Sequence, residues 1–360
     1  MSSSDNSPAA AGMLTRAHRA LSAWWARVRA WGRRRPGLAV VSATLVALLA
    51  LAAGDLGLLW ARLDHFQVNL PHSPANGTVI GSKTPSTWLV IGTDSRTSLP
   101  DGPARYGGVE DVGEQARADV AALVQPTASG LNVLVLPRDL TVAPGQLFDE
   151  RLATSFLQGP QHTVDALCSA YGVTTTHVVT IDMAQFAGIV DALGGVDVEI
   201  DEPVRDPFSG LQIDAAGTHR LSGVDALALV RSRHPEVERD GQWLALPEQE
   251  GAERRSHFTG VVMRAVMSSL RERARSPLAL QSLAWSLTGN LGVDAGTGLL
   301  DLARLAHTAR AAAGGSGEAV NLVNVPADPV GEDFAAPPNE QTYATLAEYG
   351  YTPGTCTPTD

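Results

Sequence analysis

Trp88-Leu89-Val90-Ile91-Gly92-Thr93-Asp94-Ser95-Arg96 decides the fold: an apolar run stops abruptly on an aspartate and an arginine. Two further segments repeat the pattern. Arg117-Ala118-Asp119 opens onto Val120-Ala121-Ala122-Leu123-Val124, and Leu131 to Leu136 runs into Pro137-Arg138-Asp139. A fourth cluster, Arg231-Ser232-Arg233, follows the apolar stretch Ala226 to Val230. Short apolar runs bounded by turn residues read as buried strands. Strand ends hold side chains on a stiff support. Arginine forks match phosphate oxygens, and paired carboxylates suit a hard divalent cation. The pattern therefore points to a phosphate-handling site assembled from distant segments.

Each doublet taken alone has a plainer reading. Without a family argument Asp94 and Asp119 read first as turn caps or partners of their neighbouring arginines, and the Arg/Asp neighbours as surface ion pairs that contribute little stability. At the end of its helix, Arg231-Ser232-Arg233 is also suited to the terminal carbonyls. Lys83 is the only lysine, so the choice of Arg over Lys carries little weight. The clustering is what carries information.

Outward from these runs, strands are predicted at 88–92, 120–125 and 131–136, the last two joined by a hairpin turn at Pro126–Gly130. Residues 161–171 read as a helix and 175–181 as extended. Phe186, Ile189, Val190 and Leu193 recur at helical spacing over Met183–Leu193, and Gly194-Gly195 ends that helix. Val196 to Ile200 alternates as a strand. Ser222, with Asp225 three residues on, is a capping signature for a helix through Val230. Further helices are predicted at 256–272, 278–289 and 297–312, a late strand at 319–325 and a short helix at 341–349. The order implies an α/β (mixed α+β) fold: a central mixed β-sheet flanked by helices.

The N-terminal region is of another kind. Residues 1–35 hold seven arginines and one acid, Asp5, and read as a basic tail on the cytoplasmic side. Gly37 to Gly54 carries no charge, and Leu56 to Trp60 resumes the apolar run after Asp55. Spanning a bilayer takes about 20 apolar residues, so 36–60 reads as one transmembrane signal anchor. Arginines before the span keep the N-terminus inside and the main domain outside. A cleaved signal peptide, with Ala50-Leu51-Ala52 as its small-residue site, is the competing reading. Residues 61–84 read as a linker, 85–330 as the exported domain and 331–360 as a C-terminal tail rich in Pro, Gly and Thr.

Beyond residue 35 the chain holds 20 basic against 37 acidic residues. That balance argues against nucleic acid as a partner, which needs a broad basic face. Cys168 and Cys356 lack metal-type spacing. Outside the cytoplasm they either bridge or stand as two thiols. No Gly-x-Ser-x-Gly elbow, phosphate loop or His-Glu-x-x-His site occurs.

Together, Trp88–Arg96, Arg117–Asp119, Leu134–Asp139, Thr180–Val198 with its Leu-Gly-Gly-Val, and Leu221-Ser222-Gly223 through Arg231-Ser232-Arg233-His234 resemble the LytR-CpsA-Psr family of bacterial cell-wall proteins. The resemblance covers roughly residues 85–330. It implies a membrane-bound phosphotransferase that takes a glycopolymer from a polyprenyl pyrophosphate carrier and joins it to peptidoglycan through a phosphodiester. It assigns Mg2+ to Asp94 and Asp119, and the pyrophosphate to Arg96, Arg117, Arg138, Arg231 and Arg233. It gives Asp139 an orienting role. The family usually continues with an acidic residue, an arginine and Arg-Gln-Gln on a helix. Here Pro235–Gln249 reads as inserted, Arg255 stands in for the motif arginine, and Ser256-His257 replaces the glutamines. A pyrophosphatase using water as acceptor and a non-catalytic lipid or glycan binder are the alternatives.

Overall fold

The computed structural model describes residues 35–71, 86–102, 115–128, 130–143, 150–273, 276–314, 320–331 and 334–359. Most of the basic tail and of the linker, and the centre of the acidic loop at 98–116, lie outside the described residues. The chain divides into two compact units at Leu58/Leu59. Helix α1 runs from Pro36 to Ala61 and is long and apolar enough to cross a membrane.

In chain order the domain then holds β1 (Asp64–Phe66), β2 (Trp88–Thr93), β3 (Ala118–Pro126), β4 (Leu131–Leu136), α2 (Leu152–Ser155), α3 (Pro160–Tyr171), β5 (His177–Ile181), α4 (Met183–Ala192) and β6 (Val196–Ile200). There follow β7 (Val204–Asp206), β8 (Leu211–Ile213), β9 (Gly217–Leu221), α5 (Gly223–Arg231), β10 (Glu236–Arg239), β11 (Gln242–Ala245), α6 (Glu248–Arg273) and α7 (Pro277–Thr288). The last elements are β12 (Gly292–Asp294), α8 (Leu299–Gly314), β13 (Val320–Asn324) and α9 (Glu340–Glu348).

Seven strands form the central sheet in the order β1-β12-β5-β2-β3-β4-β13. It is mixed: β2 runs antiparallel to β3 and parallel to β5, and β4 runs antiparallel to β3 and parallel to β13. Alternation along each strand sends side chains to opposite faces. Leu89 and Ile91, Ala121 and Leu123, Leu134 and Leu136 pack with Val164, Leu167 and Tyr171 of α3. Trp88 and Val90 take the other face, with Leu299, Leu302 and Leu305 of α8. The predicted mixed sheet between helices is therefore present.

A second core joins α4, α5, α6 and α7 to the smaller strands, through Val190, Leu229, Phe258, Val262 and Leu283. Local chemistry sets its geometry. Asp182 and Gln185 form a reciprocal capping box on α4. Ser222 caps α5 by accepting the Asp225 N–H at 3.2 Å. A Cβ at Gly223 would lie 2.1 Å from the Ala187 carbonyl oxygen, so only glycine lets α5 approach α4 this closely.

Three segments differ from the sequence expectation. Pro235–Gln249, read as inserted, is ordered: β10 and β11 form a hairpin turning on Asp240-Gly241, both at positive φ, and β10 pairs with β7 in a four-stranded sheet with β8. Helix α6 accordingly starts at Glu248, well before residue 256. The linker yields β1, which pairs with β12 at the edge of the central sheet.

The C-terminal stretch is packed, because its apolar residues have a core to enter. Leu346 of α9 and Tyr351 join the core beneath the main sheet. The Tyr351 hydroxyl lies 3.0 Å from Thr87 Oγ1 and accepts Gln125 Nε2 at 2.8 Å. Cys356 is disulfide-bonded to Cys168 of α3.

Candidate active site

Strand register brings the first three predicted segments to one edge of the sheet. Thr93 pairs with Ala118 and Ala121 with Leu136, so the end of β2, the start of β3 and the end of β4 are neighbours. Gly92 pairs with Val120 while Thr93 pairs with Ala118, which leaves Asp119 as the extra residue of a β-bulge. Simple alternation from Leu123 and Ala121 would put Asp119 on the core face. The bulge gives that place to Ala118, which is fully buried, and turns Asp119 out.

Main-chain bonds lock this edge. The Asp94 N–H donates to the Arg117 carbonyl at 3.1 Å, and Asp94 Oδ1 accepts the Arg117 N–H at 2.5 Å. The Arg117 guanidinium stands 3.6 Å from Asp94 Oδ2. Arg138 Nη1 donates to Asp119 Oδ1 at 2.5 Å, and its Nε lies 3.5 Å from Asp139 Oδ1. Arg151, which the sequence did not single out, holds the same Asp139 oxygen at 3.4 Å. The Ala153 N–H, within α2, donates to the Arg138 carbonyl at 2.7 Å, so the Pro-Arg-Asp turn is pinned from below. Arg96 follows Asp94 by two residues and is half-buried.

A buried carboxylate positions the distant arginine segment. Asp206, at the end of β7, has no exposed surface. Its Oδ2 accepts the Ser232 hydroxyl at 2.8 Å and the Arg233 and His234 N–H groups at 2.9 and 3.0 Å. Its Oδ1 accepts the Phe208 and Ser209 N–H groups at 2.9 and 3.3 Å. Burial alone would push this carboxyl up, but the His234, Ser232, Phe208 and Ser209 donors outweigh it and hold Asp206 below the usual carboxylate range. Arg231, half-buried, closes α5, and the chain leaves the helix extended at Ser232.

Electrostatics shows that these pieces meet. Burial pushes the Asp119 carboxyl up; Arg138 opposes this, Asp94 adds to it, and Arg233 and Arg117 oppose it. Burial likewise lowers the Arg255 guanidinium, followed by repulsion from Arg233 and Arg138, with Asp119 and Asp139 pulling the other way. Arg117, Arg138, Arg233 and Arg255 thus share one site with Asp94, Asp119 and Asp139. Four elements supply it: the ends of β2, β3 and β4, and α6, together with the segment after α5.

Among the described residues, no three His, Cys, Asp or Glu side chains are grouped to hold a metal. Asp94 and Asp119 are a weaker set but of the right chemistry. They are hard oxygen donors whose mutual repulsion raises Asp119, and a magnesium ion that keeps most of its waters takes one or two carboxylates. The pair fits such an ion.

The model of the LytR_cpsA_psr family matches residues 64–328. The chain belongs to the LytR-CpsA-Psr family. A solved LytR-Csp2A-Psr enzyme from Actinomyces oris is 43% identical, with a TM-score of 0.68, covering 83% of this chain and 99% of that one. Probable cell wall biosynthesis protein LcpB of Corynebacterium glutamicum is 33% identical over 177 residues, 49% of this chain and 42% of that protein. The polyisoprenyl-teichoic acid–peptidoglycan teichoic acid transferase TagT of Bacillus subtilis is 30% identical over 206 residues, 54% of this chain and 62% of that protein. The match to this chain covers less than two thirds of the length of either curated relative.

Two positioning residues of this LytR-CpsA-Psr site, Asp206 and Arg151, escaped the sequence. Both sit outside the apolar-run pattern, and their partners lie on other segments.

Proposed function

We propose that this chain is a membrane-anchored phosphotransferase that moves a glycopolymer from a polyprenyl-pyrophosphate carrier onto peptidoglycan through a phosphodiester. The carrying observation is the gathering of Arg117 and Arg138, paired with Asp94 and Asp119 at the sheet edge, with Arg233 and Arg255, whose charges act on the same Asp119. Arg117, Arg138, Arg233 and Arg255 outnumber Asp94, Asp119 and Asp139, so the site keeps an excess of positive charge for an anion. A pyrophosphate supplies enough charge and oxygens to engage several forks at once. The names of the Corynebacterium and Bacillus relatives support the same substrate class.

In this reading an acceptor hydroxyl of the wall attacks the glycan-side phosphorus. The bond from that phosphorus to the bridging oxygen breaks, the hydroxyl proton passes to solvent, and polyprenyl monophosphate leaves. Charge develops on the bridging oxygen, where Arg138, Arg233 and Arg255 stabilise it. Arg96, Arg117 and Arg231 complete the phosphate shell from the neighbouring strand and helix ends. Asp139, held by Arg151, fixes the direction of Arg138. Magnesium bound by Asp94 and Asp119 would add Lewis-acid stabilisation of the phosphoryl oxygens. Helix α1 anchors the domain, with the arginine-rich tail inside and the site outside, close to a lipid-linked donor.

The test incubates the purified protein with a polyprenyl-pyrophosphoryl glycan, magnesium and peptidoglycan. Glycan phosphate covalently on the wall is the expected product. Free lipid phosphate without attachment would replace the reading by a hydrolase, and binding without turnover by a carrier protein.

A further inference from the structure

We propose that Phe208 and His234 form a stacking platform for the sugar ring joined directly to the pyrophosphate; the proposal rests on the phosphotransferase reading. Phe208 sits in the turn between β7 and β8 with 60% of its surface exposed, and His234 is exposed beside it. Their ring centroids are 5.2 Å apart and tilted by 57°, within the range of favourable aromatic pairs.

A lone exposed phenylalanine is ordinary on protein surfaces. What sets this one apart is its support. The buried Asp206 carboxylate binds the Phe208 N–H through one oxygen, and the His234 and Arg233 N–H groups through the other. One group therefore fixes the main chain that carries both rings and an arginine of the phosphate site. Gly210 closes the Phe208 turn by donating to the Asp206 carbonyl at 2.9 Å, so the turn is anchored at main chain and side chain alike.

The chemistry of the donor calls for such a surface. A sugar bonded to a phosphate lies within about one ring of it, and adjacent Cα atoms such as those of Arg233 and His234 are about 3.8 Å apart. Pyranose C–H bonds carry partial positive charge on an otherwise apolar ring face, which suits the negative face of an aromatic ring. The arginines bind the phosphates of any polyprenyl pyrophosphate. The rings recognise whether a sugar is attached.

Affinity is measured by calorimetry for two probes: a short-chain polyprenyl pyrophosphate, and the same lipid carrying one N-acetylhexosamine. The parent protein should prefer the sugar-bearing lipid by about fivefold. Phe208→Ala and His234→Ala should each erase that preference and leave affinity for the bare lipid unchanged, while Phe208→Tyr keeps it. A parent without preference, a preference that survives Phe208→Ala, or an equal fall for both lipids would each overturn the platform. A parent that binds neither lipid would overturn the phosphotransferase reading and the platform with it.

Discussion

Asp206→Asn is the sharpest test of how the site is held. The native carboxylate satisfies five donors: Phe208 and Ser209 N–H on Oδ1, and the Ser232 hydroxyl with the Arg233 and His234 N–H groups on Oδ2. An amide has one acceptor oxygen. Whichever way it turns, its NH2 faces donors. The cheaper orientation gives up Phe208 and Ser209. Leaving a buried donor unsatisfied costs about 1–3 kcal/mol, so Asp206→Asn, with two stranded donors, should lose about 2–6 kcal/mol and Asp206→Ala, with five, at least about 5 kcal/mol. Urea unfolding reads both. The sign with pH follows from the lowered carboxyl. Its contribution is fully present above the unfolded carboxylate value, about 3.9, and is lost as pH falls through the lower folded value. The Asn variant should lack that acid-side loss. Asp206→Ala, which alone removes the main-chain anchor of Arg233, should also lower polyprenyl-pyrophosphate affinity by about tenfold, one charge-assisted contact, while Asp206→Asn keeps it. An Asp206→Ala protein that unfolds at the parental urea concentration and binds as tightly would refute the positioning role.

Asp119 should behave in the opposite sense: its folded carboxyl is raised, so its contribution is present at low pH and lost as pH rises through the folded value. Asp119→Asn should therefore leave Tm unchanged or higher near neutrality while abolishing transfer and weakening magnesium binding; a clear drop in Tm with transfer intact would make Asp119 structural. Arg255→Ala should relieve repulsion from Arg233 and Arg138, so stability holds while polyprenyl-pyrophosphate affinity falls at least about tenfold, as calorimetry would show. Replacing Cys168 and Cys356 by alanine opens a link across 188 residues, and the chain-entropy estimate puts the loss at up to about 5 kcal/mol, readable as an earlier urea transition.

The sheet edge was legible because β2, β3 and β4 are apolar runs with abrupt polar ends. The helices α3, α4 and α5 announced themselves through periodicity, Gly194-Gly195 and the Ser222 cap. Strands β1, β7, β8 and β12 have three residues each, too few for a period of two to register. The β10–β11 hairpin was readable only at its turn, since Asp240-Gly241 is the favoured two-residue pair, while Glu236–Arg239 and Gln242–Ala245 carry too few apolar residues to read as strands. The bulge at Asp119 left no trace, because alternation predicts the wrong face there. Asp206 was out of reach for another reason: its Ser232, Arg233 and His234 partners lie 26 to 28 residues away, and nothing local marks a carboxylate that will be buried.

The Cys168–Cys356 bond also carries information about time. It cannot close until all the residues between its ends have been synthesised, and it persists only where thiols are not kept reduced. A chain cut short before Cys356 keeps a thiol at Cys168, whereas in the finished domain that position is completely buried. A reactive sulfhydryl thus distinguishes an unfinished molecule from a finished one. Once closed, the bond also keeps both halves of the site tethered if a protease nicks a loop between them.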